Sequence, residues 1–222
     1  MLKPVKSAIA NLIGRDRANT LVNPYHDWRL RRHSRRLLAE LPKSGLCLHV
    51  GCGTNHLDGW VNIDGARKEG VDVLWDLRFG LPFADNSATA IFGEHVIEHI
   101  PQEGAEALMR ECRRVLEPGG VARVSVPDAE RFLRSYAGDR QFLQHPEFPG
   151  PVATALERVN IMMRQGGQHL WAYDGESLSL MLQKAGFSQA IAQKFGVSAH
   201  PQMQGIDAAQ REFESLYVEG VK

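Results

Sequence analysis

The chain is poor in cysteine, has no long hydrophobic run and carries no net charge, and each of these absences excludes a class of protein. Its three cysteines cannot all pair with one another, and no Cys-x-x-Cys spacing typical of a zinc site occurs. No apolar run approaches the roughly 20 residues of a membrane-spanning helix. The equal counts of basic and acidic residues, 26 of each, do not indicate nucleic acid as a partner. We therefore expect a cytoplasmic protein that binds neither a metal ion nor nucleic acid.

The charge that is present is unevenly distributed along the chain. Residues 1–43 contain ten Lys and Arg but only three Asp and Glu. Five of these basic residues cluster in one short stretch: Arg29, Arg31, Arg32, Arg35 and Arg36. We predict a basic helical extension over residues 1–44, followed by one domain over residues 45–222. A solvated helix face is the usual meaning of such a pattern, and the second interpretation is a weak peripheral contact with phosphates at a membrane surface.

Short apolar runs separated by turns predict the strands of the domain. Five of them precede position 128, and two more lie in the tail, around residues 188–195 and 213–221. The predicted early strands are 46–50, 61–64, 71–76, 88–96 and 121–126. Apolar residues at helical spacing from Ala105 to Leu116 predict a helix between the fourth and fifth strands, ended by Pro118-Gly119-Gly120. This alternation indicates an α/β fold with a mostly parallel sheet that is covered on both faces.

Residues 128–174 have no strand character. Val152, Leu156, Val159 and Met163 follow helical spacing. A second helix is predicted to start near Asp174, where the aspartate is a suitable N-cap. We predict that residues 128–174 form a helical insertion beside the carboxyl edge of the sheet.

The segment LHVGCGTNHLDGWVNID, residues 48–64, holds the most informative motif. A strand that ends in Gly51-Cys52-Gly53 lets a ligand approach bare backbone, because glycine has no side chain to block it. Asp64 ends the next strand and is placed to accept hydrogen bonds from ribose hydroxyls. Such groups at the carboxyl ends of strands predict a site for an adenosine cofactor. An ordinary tight turn is the alternative explanation of the glycines.

A dinucleotide site fits this segment less well. Its fingerprint needs a third glycine, a helix and an acid about 20 residues further on. His56 stands at the third glycine position, and Asp64 follows Gly53 after only eleven residues. The ten residues from Gly51 to Trp60 leave no room for both the turn and a helix to hold a pyrophosphate. We therefore disfavour NAD as the cofactor.

The motifs that follow give the segment its context. Asp76 ends the third strand and is followed by Leu77, AIFGEHVIEHI contains most of the fourth strand, and LEPGG precedes VARVSVPD. This ordered series resembles class I S-adenosylmethionine-dependent methyltransferases, especially small bacterial ones of the type 11-like group with a shortened helix after the first strand. The resemblance covers residues 46–222. It implies a Rossmann-like three-layer sandwich with a seven-stranded, mostly parallel sheet whose last strand is antiparallel.

The resemblance also implies roles for individual residues. In such families the glycine turn holds the methionine end of the cofactor, which implies Gly51, Cys52 and Gly53 here. The acid after the second strand binds ribose, which implies Asp64. Asp76 and Leu77 would bracket adenine, and Glu94, with its neighbour His95, would lie beside the sulfonium.

Candidates for acid–base chemistry lie in two segments, Glu94–His99 and Gln168–Asp174. His95 is the better candidate for a base in the first segment, where the short match to an inverted zinc protease motif is rejected because a strand precedes it. Glu98 and His99 are interpreted as a polar helix start. In the second segment, His169 and Tyr173 either position and deprotonate a hydroxyl acceptor or pack the insertion on the core.

The main hypothesis from the sequence is an S-adenosylmethionine-dependent methyltransferase. Its acceptor would be a small or glycan-like molecule, methylated at oxygen. The alternative is a partner subunit that binds the same cofactor without catalysis, because no Asn/Asp-Pro-Pro-Tyr/Phe run follows the fourth strand. The sequence leaves the acceptor and the oligomeric state open.

Overall fold

Seven strands form one sheet in the computed structural model, which describes residues 34–222. The strands are β1 Leu46–Val50, β2 Val61–Asp64, β3 Val73–Leu74, β4 Ala88–Glu94, β5 Leu116–Pro127, β6 Gln189–Gln193 and β7 Ser215–Val221. Their order is β3-β2-β1-β4-β5-β7-β6. β1 to β5 pair in parallel, and β7 runs antiparallel to both of its neighbours. The predicted Rossmann-like fold with an antiparallel last strand is confirmed.

Four α-helices follow β4 in the described part of the chain: α1 Gln102–Val115, α2 Ala129–Ala137, α3 Ala155–Arg164 and α4 Gly175–Lys184. α1 buries one apolar face, from Ala105 to Val115, against the sheet. α4 begins with a capping box, in which the Asp174 carboxylate accepts the Ser177 N–H at 2.8 Å. None of the described helices is long and apolar enough to cross a membrane.

Three of the five early strands have bounds that differ from those predicted, and local hydrogen bonds and backbone conformation explain two of these differences. β3 has two residues instead of six because Asp72 binds the Asn62 N–H and Asp76 caps a short helical turn over Leu77–Phe79. β4 ends at Glu94 because His95 takes a left-handed conformation, with φ +52°. β5 starts at Leu116 and includes Pro118-Gly119-Gly120.

The segment 128–174 contains α2 and α3 and has an apolar cluster apart from the core of the sheet. Phe132, Phe148 and Met162 are buried in this cluster. Residues 168–171 run back to the sheet edge, where Leu170 and Trp171 donate backbone hydrogen bonds to the Glu98 carbonyl. The segment therefore packs beside the carboxyl ends of β4 and β5.

Most of the predicted basic extension, residues 1–33, lies outside the described residues. Residues 34–40 are helical. The Ser34 hydroxyl donates to the Leu74 carbonyl and accepts the Leu74 N–H at 2.7 Å, so this helix is tied to β3.

Candidate functional site

The glycine turn after β1 is the tightest part of the predicted cofactor site. Gly51 and Gly53 have φ +67° and +59°, a left-handed conformation that residues with a Cβ seldom adopt. A Cβ at Gly51 would also lie 2.5 Å from Cγ2 of Val96, in the turn after β4. Gly51 is therefore required both by its backbone conformation and by the close approach of Val96.

Replacing Gly51 with alanine is expected to destabilise the protein by about 1–3 kcal/mol more than replacing Gly119. Gly119 has φ +79°, but a Cβ added there would meet no atom within 4 Å, so G119A carries the backbone strain without the clash. Urea unfolding of both variants measures the difference. The double variant G51A/V96A should recover part of the loss, and equal losses in G51A and G119A would show that the packing at Val96 does not matter.

Asp64 connects β2 to the glycine turn. Its Oδ2 accepts the Gly53 N–H at 2.9 Å, and its Oδ1 accepts the Ala66 N–H at 2.7 Å. The parallel register that sets Val50 opposite Ile63 brings the two strand ends together. The carboxylate is half-buried and, when ionised, still has lone pairs for the hydroxyl donors of a ribose.

Cys52 offers a ligand its backbone only. Its side chain is 3% exposed, and burial, together with the Asp64 charge, raises the pKa of the thiol to about 12. Its N–H donates to the Ile63 carbonyl at 3.0 Å, which fixes the turn against β2.

Asp76 and Leu77 lie where β3 ends. The Asp76 carboxylate caps the following helical turn and pairs with Arg78 at 2.5 Å. The Leu77 side chain is packed into the core. Contacts of this pair with an adenine would therefore involve the backbone of Leu77 and the exposed part of the Asp76 side chain.

Glu94 ends β4, beside the glycine turn. Its Oε1 accepts the Ala208 N–H at 3.0 Å, and burial raises the pKa of its carboxyl group. Asn55, in the loop after the glycine turn, also hydrogen-bonds the Glu94 side chain. The acid is thus held between the cofactor turn and the loop that carries Ala208.

A polar side chain lies near each ring nitrogen of His95, and one of the two forms a hydrogen bond. Nε2 lies 2.7 Å from the Ser215 hydroxyl, and Nδ1 lies 3.5 Å from Oε1 of Glu98. Burial is the largest cause that lowers the pKa of the imidazole well below its ordinary value, so the ring is neutral at pH 7. Strained, non-glycine residues with positive φ often mark functional positions.

A cavity of about 140 Å³ lies between His95 and the insertion. It is lined by the imidazoles of His95, His99 and His169, the rings of Phe132 and Phe148, and the ion pair of Arg211 with Glu214, among others. The structure thus brings two of the predicted catalytic residues, His95 and His169, to one cavity.

Tyr173 does not line this cavity. Its side chain is 2% exposed within the main core, and its hydroxyl has no hydrogen-bond partner among the described residues. Burial, followed by the nearby Glu98 charge, raises the pKa of the phenol. The packing interpretation of Tyr173 agrees with this placement.

Three charged residues line the cavity without having been singled out in the sequence: Arg158, Arg211 and Glu214. Arg211 and Glu214 lie in an irregular loop before β7, where no motif marks them. Glu98 was interpreted as a polar helix start, but its side chain is 1% exposed. The position of Glu98, two residues after the end of a predicted strand, is the sequence feature that could have identified it as a site residue.

The residues at the sheet edge fit an adenosyl sulfonium. Gly53 leaves the turn open, since a Cβ there would meet only the Lys68 Nζ, at 3.7 Å. Asp64 offers carboxylate oxygens to hydroxyl donors, and Glu94 offers a buried acid at the end of β4. Opposite charge favours a positive sulfur beside such carboxylates.

Comparison with known proteins agrees with this arrangement. A sequence model of the methyltransferase domain family matches residues 25–190. No curated protein matches the chain. Among solved structures, the chain is similar to S-adenosylmethionine-dependent methyltransferases from two organisms. The one from Thermotoga maritima is 19% identical, with 92% of this chain and 97% of that chain covered and a TM-score of 0.48. The one from Archaeoglobus fulgidus is 13% identical, with 88% of this chain and 94% of that chain covered and a TM-score of 0.49. The chain also matches a solved structure from Nostoc punctiforme, and it spans only 34% of the length of that protein. The family match shows that the chain belongs to the S-adenosylmethionine-dependent methyltransferases.

Proposed function

We propose that the chain transfers a methyl group to an oxygen atom of a small-molecule or glycan-like acceptor that enters the cavity beside His95. The arrangement of three consecutive residues carries the proposal. Glu94 lies beside Asn55, in the loop after the glycine turn. His95 lines the cavity, and Val96 packs on Gly51. Cofactor site and cavity are therefore separated by one turn of backbone, which is the arrangement that a direct transfer needs.

The lining of the cavity suits a compact acceptor with an apolar face. Phe132 and Phe148 provide aromatic surface, whereas His95, His169 and Arg211 provide polar groups. A volume of about 140 Å³ accommodates one ring or a group of similar size. A glycan would accordingly enter with a single sugar ring.

Residues of the chain would orient the acceptor and remove its proton. Bound S-adenosylmethionine supplies a methyl carbon on a positively charged sulfur. Alignment of nucleophile and methyl carbon contributes up to roughly 7–11 kcal/mol to such a displacement. A hydroxyl acceptor must also lose a proton, and His95 is neutral and faces the cavity, so its imidazole can accept that proton.

Calorimetry and product detection test the proposal. Calorimetric titration with S-adenosylmethionine and with NAD is expected to give binding for the first ligand alone. Release of S-adenosylhomocysteine over a panel of hydroxyl and amine acceptors identifies the acceptor atom. Binding without turnover on any acceptor would favour the non-catalytic partner subunit instead.

Replacing Asp64 with alanine is expected to weaken S-adenosylmethionine binding by about 1–3 kcal/mol, or roughly 5- to 150-fold, because the ribose loses its acceptor. Asp58 is a matched control, since it is an exposed acid in the loop between β1 and β2. Calorimetry on D64A and D58A measures both affinities. Equal affinity in the two folded variants would reject Asp64 as the ribose ligand.

A further inference from the structure

Three side chains with metal-ligand chemistry lie close together beside the cavity, and two of them, His99 and His169, line it. Glu98 and His99 belong to the short helical turn after β4, and His169 lies in the segment that follows α3. One ligand atom of each lies within 4.8 Å of the others. Backbone hydrogen bonds from Leu170 and Trp171 to the Glu98 carbonyl hold the two segments together.

The hydrogen bonds of the two histidines define which nitrogen is available. Nδ1 of His99 lies 3.2 Å from the Gln168 carbonyl, and Nδ1 of His169 contacts the Met162 carbonyl. Because a carbonyl oxygen only accepts, each Nδ1 carries the proton and each neutral ring keeps its lone pair on Nε2. A backbone carbonyl on the second nitrogen is a common way of orienting a metal-binding histidine.

Glu98 provides the independent observation. Its side chain is 1% exposed, and neither carboxylate oxygen has a hydrogen-bond partner among residues 34–222. The His95 Nδ1 atom, at 3.5 Å, is close without forming a hydrogen bond. A charged carboxylate that is buried without a partner is costly, so Glu98 either holds a proton or pairs with a bound cation.

Two imidazoles and a carboxylate are the donor set of non-haem metal sites with open positions. We propose that Glu98, His99 and His169 bind a divalent first-row transition-metal ion, such as Mn²⁺, Fe²⁺, Co²⁺ or Zn²⁺. Metal–ligand bonds of about 2.0–2.2 Å require the donor atoms to approach one another more closely than 4.8 Å. His99 is exposed, so its side chain can rotate toward the other two.

The site faces the space in which the acceptor is proposed to bind, because His99 and His169 both line the cavity. An ion there would bind an acceptor oxygen at an open position and lower the pKa of its hydroxyl. The role for the acceptor rests on the proposed function, whereas the metal site itself does not. The positive charge of Arg211 lies nearby and opposes the binding of a cation. The ion pair of Arg211 with Glu214, at 2.6 Å, offsets this charge.

Metal binding to the full chain, first treated with a chelator, tests the site without turnover. Titration with Mn²⁺, followed by electron paramagnetic resonance, and with Zn²⁺, followed by calorimetry, is expected to show one equivalent bound per chain. H99A, H169A and E98Q should each weaken binding at least tenfold. H200A is the control, because His200 lies outside the cavity, and it should bind as the unchanged protein does.

Affinity for S-adenosylhomocysteine, measured on the same samples, separates failure of this site from failure of the methyltransferase proposal. We expect H99A and H169A to keep it, which also shows that these variants are folded. The proposal is overturned if the unchanged protein takes up neither ion, or if H99A and H169A bind as tightly as H200A.

Discussion

Replacing Arg123 with methionine is expected to lower the free energy of unfolding by about 3–5 kcal/mol, because it leaves two buried carboxylates without their cation. Arg123, Asp207 and Glu219 all have side chains with no exposed surface. The guanidinium uses all five of its N–H groups: two on Asp207, one on Glu219 and one each on the carbonyls of Lys194 and Val197.

This network also holds part of the cofactor site. Asp207 accepts the Gly196 N–H as well, so the loop between β6 and β7 is fastened to the sheet through Arg123. Ala208, the next residue, donates to Glu94. R123M should therefore weaken binding of S-adenosylmethionine in addition to reducing stability.

R36M is the control for the loss of an ion pair as such. Arg36 and Glu40 pair at 2.9 Å on the surface, where such pairs contribute about 0–1 kcal/mol. Urea unfolding of R123M, R36M and the unchanged protein measures both effects. Similar losses in the two variants would mean that the buried network contributes no more than a surface pair.

The sequence predicts the sheet well because strand burial and turns are local properties. Strand β1 is buried at all five positions, and the Gly51 turn follows directly. β3 was predicted too long because Val71–Asp76 is apolar enough for a strand. Its length is decided by where the Asp72 and Asp76 side chains find partners, and these partners are set by tertiary contacts.

The site was predictable only where its residues follow strand ends. Asp64, Glu94 and His95 could be placed this way, since the carboxyl ends of parallel strands meet at one edge. The position of Glu98 after a predicted strand end places it at the same edge, but its burial could not be predicted, because it depends on residues 168–171 folding back on it. The acidic partners of Arg123 are 84 and 96 residues away along the chain. From the sequence alone, a charged residue within a strand is expected to face solvent, and its burial becomes evident only when the loop that covers it is known.

Replacing His95 with asparagine is expected to slow methyl transfer about 10²- to 10⁴-fold, if the imidazole removes the acceptor's proton. Asparagine suits the test because it adopts the left-handed conformation of His95, with φ +52°, more readily than most residues. Its amide can still hydrogen-bond, but it cannot accept a proton at neutral pH. The fold and the cofactor turn should therefore be retained while the base is lost.

The kinetic constants of H95N distinguish a base from a packing residue. Loss of a base lowers kcat and leaves the affinity for S-adenosylhomocysteine within about twofold of that of the unchanged protein. Loss of packing lowers both kcat and this affinity. H200N, changed outside the cavity, should keep the turnover of the unchanged protein. If H95N also keeps full turnover on the acceptor found in the panel, His95 is not the base. Proton loss must then depend on the acceptor itself or on the groups around Glu98, His99 and His169.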